Sequence, residues 1–192
     1  MTIFDPIKPL FNLADTHEHM SQEMITFSGD DYNKELGAAL IDAKHDGQAI
    51  STFLREYKDS PETLRSYAKE IERLLLWCIH VAKINISSLR RDHLLDYQEF
   101  LKNPQPQKIW CGASTARYTK QGLVNAKWRP FVKGLSASSL KKTIRIIDSF
   151  FNYLVQTNYL VGNPLAVDRR RKRRNQGKSK MIEMTPQNWT GS

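Results

Sequence analysis

Four stretches of the chain repeat apolar residues at helical spacing, and each predicts a helix with one buried side. The first runs from about Gly47 to Lys58, with Ile50, Phe53, Leu54 and Tyr57 on one face. The second has the clearest start. Ser60 is a natural N-cap, Pro61 stands at the first helical position where its missing N–H costs nothing, and Glu62 suits the helix dipole. From there Leu64, Ala68, Ile71, Leu75, Cys78 and Ala82 form a stripe that carries the helix to about Ala82, widened by Trp77 and Ile79. The third covers about Arg90 to Lys102, with Leu94, Leu95, Tyr97 and Leu101 inward, and Asn103, Pro104 and Pro106 end it. The fourth opens at Ser136 as N-cap and places Leu140, Ile144, Ile147, Phe151 and Leu154 on its core stripe.

Between the third and fourth helices lies a segment of ~30 residues, a length uncommon in compact domains and often functional. It holds Trp110, Cys111, Gly112, Tyr118, Trp128 and Phe131, and Ser114 to Val124 is expected to form a short helix. Trp128 and Phe131 are expected to pin the loop to the core, because a long loop is held by its own apolar residues. No stretch reads as a strand and no internal repeat is present, so the fold class is all-α. Cys78 lies on a core stripe and reads as packing. Two cysteines give no disulfide framework.

Charge changes the picture. The 192 residues carry a formal net charge of +9, a balance that points to nucleic acid or an anionic surface as partner. No apolar run approaches the ~18 residues that span a bilayer, and no signal peptide opens the chain. A soluble, cytoplasmic protein is expected. Residues 1–46 hold nine acids and three lysines, a net of −6, and are expected to form an acidic, partly disordered arm. Residues 47–192 hold eleven acids and twenty-six cations, a net of +15. Glu99 and Asp148 bracket 48 residues without an acid, among them ten Lys and Arg. A solvated face usually mixes signs, so this stretch favours contact with a polyanion.

On the second helix Arg65, Lys69 and Arg73 recur every four residues away from the apolar stripe, although Glu70 and Glu72 dilute them and Glu70 can pair locally with Arg73 or Lys69. On the fourth, Lys141, Lys142 and Arg145 sit in the first turns beside Ser138 and Ser139. Cations there oppose the helix dipole, which makes poor sense for an isolated helix. It makes better sense if the helix N-terminus meets a phosphate. The long segment adds Lys120 and Arg129. The run Arg169, Arg170, Arg171, Lys172, Arg173 and Arg174 cannot enter a core and suits a tail or linker along a polyanion. These cations and Ser138 are the candidate DNA-binding residues. His17-Glu18-His19 and His45 lack metal-site spacing, and no Gly-rich phosphate loop appears. No metal, cofactor or small-molecule ligand is expected.

The order of motifs resembles the core-binding, SAM-like domain of the tyrosine recombinases, or phage integrases. The match begins with Phe53-Leu54, then Ser60-Pro61-Glu62-Thr63-Leu64-Arg65-Ser66-Tyr67, then Ile86 to Leu101. It continues with Leu135-Ser136-x-x-Ser139-Leu140, Phe150-Phe151-Asn152-Tyr153-Leu154-Val155 and Tyr159-Leu160-x-x-Asn163-Pro164. Trp128-Arg129-Pro130-Phe131 is similar to a subset of bacterial integrases with a long third loop. The resemblance covers about 47–167. It implies a four-helix DNA-binding domain whose second and fourth helices face the major groove, and residues 168–192 as a basic linker. Thr185-Pro186-Gln187-x-Trp189 is similar to the start of the family's catalytic domain. Double-stranded DNA and other recombinase protomers are the implied partners, in a prokaryotic, nucleoid-associated setting.

The family cleaves DNA with a Tyr nucleophile supported by Arg, Lys and a His-x-x-Arg motif, all in that second domain. No His of this chain is followed three residues on by Arg, so no catalytic residue is assigned. The implied role is to grip a recombination half-site without cutting it. The alternative is a protein-interaction adaptor that mediates protomer contacts or self-association. The charge contrast is also compatible with an arm that folds back over the basic face.

Overall fold

Three polar residues of the second helix, Glu70, Glu72 and Arg73, shape the architecture, because they are buried along with its apolar stripe. The structure, a computed structural model, describes residues 7–11, 39–113, 116–121 and 123–166. Its helices are α1 (Asp46–Arg55), α2 (Pro61–Trp77), α3 (Arg91–Lys102), α4 (Gln107–Trp110) and α5 (Ala137–Gln156). Among the described residues strand pairing is limited to isolated bridges, so the fold is all-α. None of the described helices is long and apolar enough to cross a membrane.

α2 starts at Pro61 as its sequence predicts and buries Leu64, Ala68, Ile71, Leu74 and Leu75. From Glu70 to Ile79 every residue is buried, so this half of the rod runs through the middle of the molecule. The helix does not continue to Ala82 in α form. Cys78–Ala82 widens to a π turn, which ends at Lys83 in the left-handed region at φ 56°. α1, α2 and α5 converge on Phe53, whose ring lies 5.1 Å from Phe150 and from Tyr153 and 5.6 Å from Tyr67. α3 turns Leu94, Tyr97 and Leu101 inward. Leu95 is 44% exposed, contrary to expectation. It lies ~100° round the helix from Leu94, outside the stripe that the other three define.

α5 is capped as expected, the Ser136 hydroxyl accepting the Ser139 N–H at 3.3 Å. Ile147, Phe150, Phe151 and Leu154 are fully buried. Beyond it, Tyr159 and Leu160 both donate their N–H groups to the Leu154 carbonyl. The Asn163 amide donates to Asp148 and Asn152, while its oxygen accepts the Leu165 N–H. The Asn-Pro turn therefore folds the chain back against α5. The Asp46 carboxylate joins three elements at the start of α1, accepting the Ser87 N–H and hydroxyl and the Tyr159 hydroxyl.

Part of the expected acidic arm belongs to the core. Ile7, Leu10 and Phe11 are buried, and the Leu10 and Phe11 N–H groups donate to the Glu72 carboxylate at 2.8 and 3.2 Å. The Leu40 N–H donates to the Thr157 carbonyl at the end of α5. The long segment after α3 closes on itself through a Cys111–Phe131 bridge. Trp128 and Phe131 are buried, as expected of its anchors. The helix expected from Ser114 to Val124 is absent among the described residues. A bridge between Tyr118 and Val124 replaces it. Local bonds favour this hairpin: Thr119 Oγ1 accepts the Leu123 N–H, Asn125 Nδ2 donates to Ala116 O, and Asn125 Oδ1 accepts the Lys127 N–H.

The return to α5 requires Gly134. A Cβ there would lie 1.9 Å from the Lys102 carbonyl oxygen, at a point where Leu135 N–H bonds Leu101 O. The obstacle is backbone, which does not swing aside. Gly134→Ala is expected to lose about 2–3 kcal/mol of unfolding free energy, as overpacked sites do. Urea denaturation followed by circular dichroism checks it.

Candidate nucleic-acid interface

The cations of α5 are presented by a helix whose other side packs into the core. Ser138, Lys141 and Arg145 recur at i, i+3 and i+7, and all three are exposed, as is Lys142. On the opposite side Thr143, Ile147 and Leu154 are buried, and the Thr143 hydroxyl donates to Glu70 of α2 at 3.1 Å. The first turn holds no acid. Three hydroxyls cluster there, with Ser136 Oγ 3.1 Å from both Ser138 Oγ and Ser139 Oγ. Cations, hydroxyls and the helix N-terminus thus lie together on one outward face.

The three cations expected on α2 separate. Arg65 is exposed, with its Nε on Pro61 O at 3.2 Å. Lys69 has a side chain 50% exposed and lies 3.2 Å from Glu70. Arg73 is buried and leaves the candidate surface. Its Nη1 donates to both oxygens of Glu70 at 3.1 and 3.0 Å, its Nε and Nη2 donate to Pro130 O, and its guanidinium lies 4.5 Å from the centre of the Phe131 ring. A buried carboxylate demands this partner, and the planar fork serves the acid and the loop carbonyl together.

In the long segment, Lys120 is exposed. Arg129 is half-buried and turned back, with Nη1 on the Ala126 and Trp128 carbonyls at 3.0 and 2.6 Å. It braces the loop instead of projecting from it. Lys108, Lys127 and Lys133 are exposed. Arg169 to Arg174 and His17-Glu18-His19 lie outside the described residues.

One organising residue was not singled out by its pattern. Glu72 reads as an acid diluting a basic face, yet it is buried and takes Arg117 at 2.6 Å besides the two backbone amides. The only signal for it was an acid at the i+3 position from Lys69. A separate cleft of about 280 Å³, lined by Arg90, Arg91, Asn163 and Pro164 among others, opens beside the end of the described chain.

The thiols are poor nucleophiles. Burial, with the Asp46 carboxylate adding to it, pushes the Cys78 thiol well up, and burial also raises Cys111. Burial likewise raises the Tyr97 hydroxyl well above the usual phenol value, Glu70 adding to it and Arg73 opposing. Among the described residues no three His, Cys, Asp or Glu side chains gather as metal ligands. What the outward face offers is charge complementary to an anion. No family model, curated protein or solved structure matches the chain.

Proposed function

We propose that residues 47–167 are a DNA-binding module that grips duplex DNA, as the resemblance to tyrosine-recombinase core-binding domains implies, and that the chain itself cuts no strand. The observation that carries it is the outward face of α5. There Ser138, Lys141, Lys142 and Arg145 are exposed around a helix N-terminus whose first turn holds no acid, inside a 48-residue stretch without an acid. A basic surface of this kind neutralises phosphates and releases counter-ions, so its affinity falls steeply with salt. Most of its grip is sequence-independent positioning on the backbone. The four-helix SAM-like arrangement, a recombination half-site as target and neighbouring recombinase protomers as partners belong to the same proposal.

The test is fluorescence anisotropy of the full chain with a labelled duplex across a salt series. The double variant Lys141→Ala/Arg145→Ala is expected to make the log–log salt slope shallower by about 1.8, at about 0.9 for each lost phosphate contact. Lys8→Ala, at an exposed position of the N-terminal segment, should change the slope less than that double variant. Absence of binding at low salt, or an affinity indifferent to salt, would overturn the proposal.

A further inference from the structure

We propose that the hairpin formed by residues 116–121 and 123–128 is a second, preorganised contact to the DNA backbone, fixed in place by the buried Glu72–Arg117 pair; this rests on the DNA-binding function proposed above. Both oxygens of Glu72 lie 2.6 Å from the Arg117 guanidinium, and the Glu72 side chain is 1% exposed. The same guanidinium lies 5.5 Å from the centre of the ring of buried Trp128, at the other end of the hairpin. One arginine therefore holds both strands at the base. Further out, Thr119 N–H bonds Leu123 O and Asn125 N–H bonds Arg117 O, so the arm is itself ordered.

What this brace holds outward is the point. Lys120 and Lys127 are exposed, and Leu123 and Val124 are 69% and 50% exposed. A loop that only closed the core would turn such apolar residues inward. Burying an ion pair is costly, and hydrophobic anchoring would fasten a loop at least as well. A charged brace does fix orientation, and a fixed arm loses less entropy when it binds.

Helix geometry says where the arm stands. Arg65, Lys69 and Glu72 fall at i, i+4 and i+7 on α2, one stripe about 10 Å long at 1.5 Å per residue. The arm is attached at the last of these, so it prolongs the line begun by exposed Arg65 and Lys69. The charge selects the occupant. No acid occurs between Glu99 and Asp148, so a polyanion fits, with Lys120 and Lys127 on phosphates and the apolar tip against sugars.

The experiment compares the unmodified chain, Lys120→Ala/Lys127→Ala and Lys141→Ala/Arg145→Ala in one salt series, with sedimentation velocity on each. The hairpin variant is expected to keep the thermal midpoint and to make the salt slope shallower by about 1.8. If the α5 variant changes the slope and the hairpin variant does not, the hairpin contact is overturned and the DNA-binding function stands. If the unmodified chain shows no salt-dependent binding, that function fails first. If the hairpin variant loses self-association with an unchanged slope, the arm meets a second copy of the chain, and the proposal is likewise overturned.

Discussion

Arg73→Ala is expected to destabilise the fold by about 3 kcal/mol, at the lower end of what removing one partner of a buried ion pair costs. The reason lies in what remains. Glu70 would keep its burial and lose two guanidinium bonds, while Pro130 O would lose both of its donors. The loss is moderated because Lys69 stays 3.2 Å from Glu70 and the Thr143 hydroxyl 3.1 Å from it. Against a total stability of roughly 5–15 kcal/mol for a domain, this is a large fraction. Arg73→Lys is expected to recover little, since an ammonium cannot serve the acid and the carbonyl in one plane. Glu70→Leu combined with Arg73→Met should recover more, because the uncompensated charge goes as well. Urea denaturation measures all three. A second readout separates structure from binding. At temperatures where Arg73→Ala is folded, its DNA salt slope should match that of the unmodified chain. A slope shallower by about 0.9 with unchanged stability would show that Arg73 reaches a phosphate.

Arg73 also shows where pattern reading stops. The apolar stripes of α2 and α5 were legible because their residues repeat with the helix, and Ser60-Pro61 and Ser136 marked the starts. On α2 the local pairing of Glu70 with Arg73 and Lys69 was legible from spacing, but the burial of Glu70, Glu72 and Arg73 was not, because periodicity assigns polar positions to solvent unless a partner is known. The remaining partners lie far away along the chain: Pro130 is 57 positions from Arg73, Arg117 is 45 from Glu72, and Leu10 is 62 from Glu72. Two of those contacts are to backbone atoms, which carry no sequence signature. The same holds for Arg129, which is used up on carbonyls of its own loop. By contrast the exposure of the α5 cations follows from the pattern, since they stand opposite the apolar stripe of that helix. Ile7 to Phe11 is too short to show a period, so nothing in its spacing foretold that it packs in the core. Trp128 and Phe131 were legible as anchors by size alone, whereas the hairpin between the loop's ends depends on side-chain bonds from Thr119 and Asn125.

Glu72→Ala is expected to cost more than Arg73→Ala, about 4–5 kcal/mol, because it takes the acceptor from more donors at once. Four donors converge on it: Nη1 and Nη2 of Arg117, and the N–H groups of Leu10 and Phe11. Each buried N–H left without an acceptor adds a penalty of about 1–3 kcal/mol. The damage should also be regional. The acid ties an N-terminal segment and a distant hairpin to one helix, so hydrogen exchange should quicken at Leu10 and Phe11 and across 116–128 together. The amides of α5 should open only with global unfolding. Faster exchange at one of the two segments alone would mean that the other is held by its apolar contacts, and would remove Glu72 as their common anchor. The same anchoring bears on any truncation meant to isolate the acidic arm. A chain beginning at residue 46 would lack Ile7, Leu10 and Phe11 and remove two of the four donors on Glu72. A change in DNA affinity there would mix lost core with lost negative charge. Neutralising acids between residues 12 and 38 while keeping 7–11 is the cleaner experiment. If the arm screens the basic face, affinity should rise without a fall in stability.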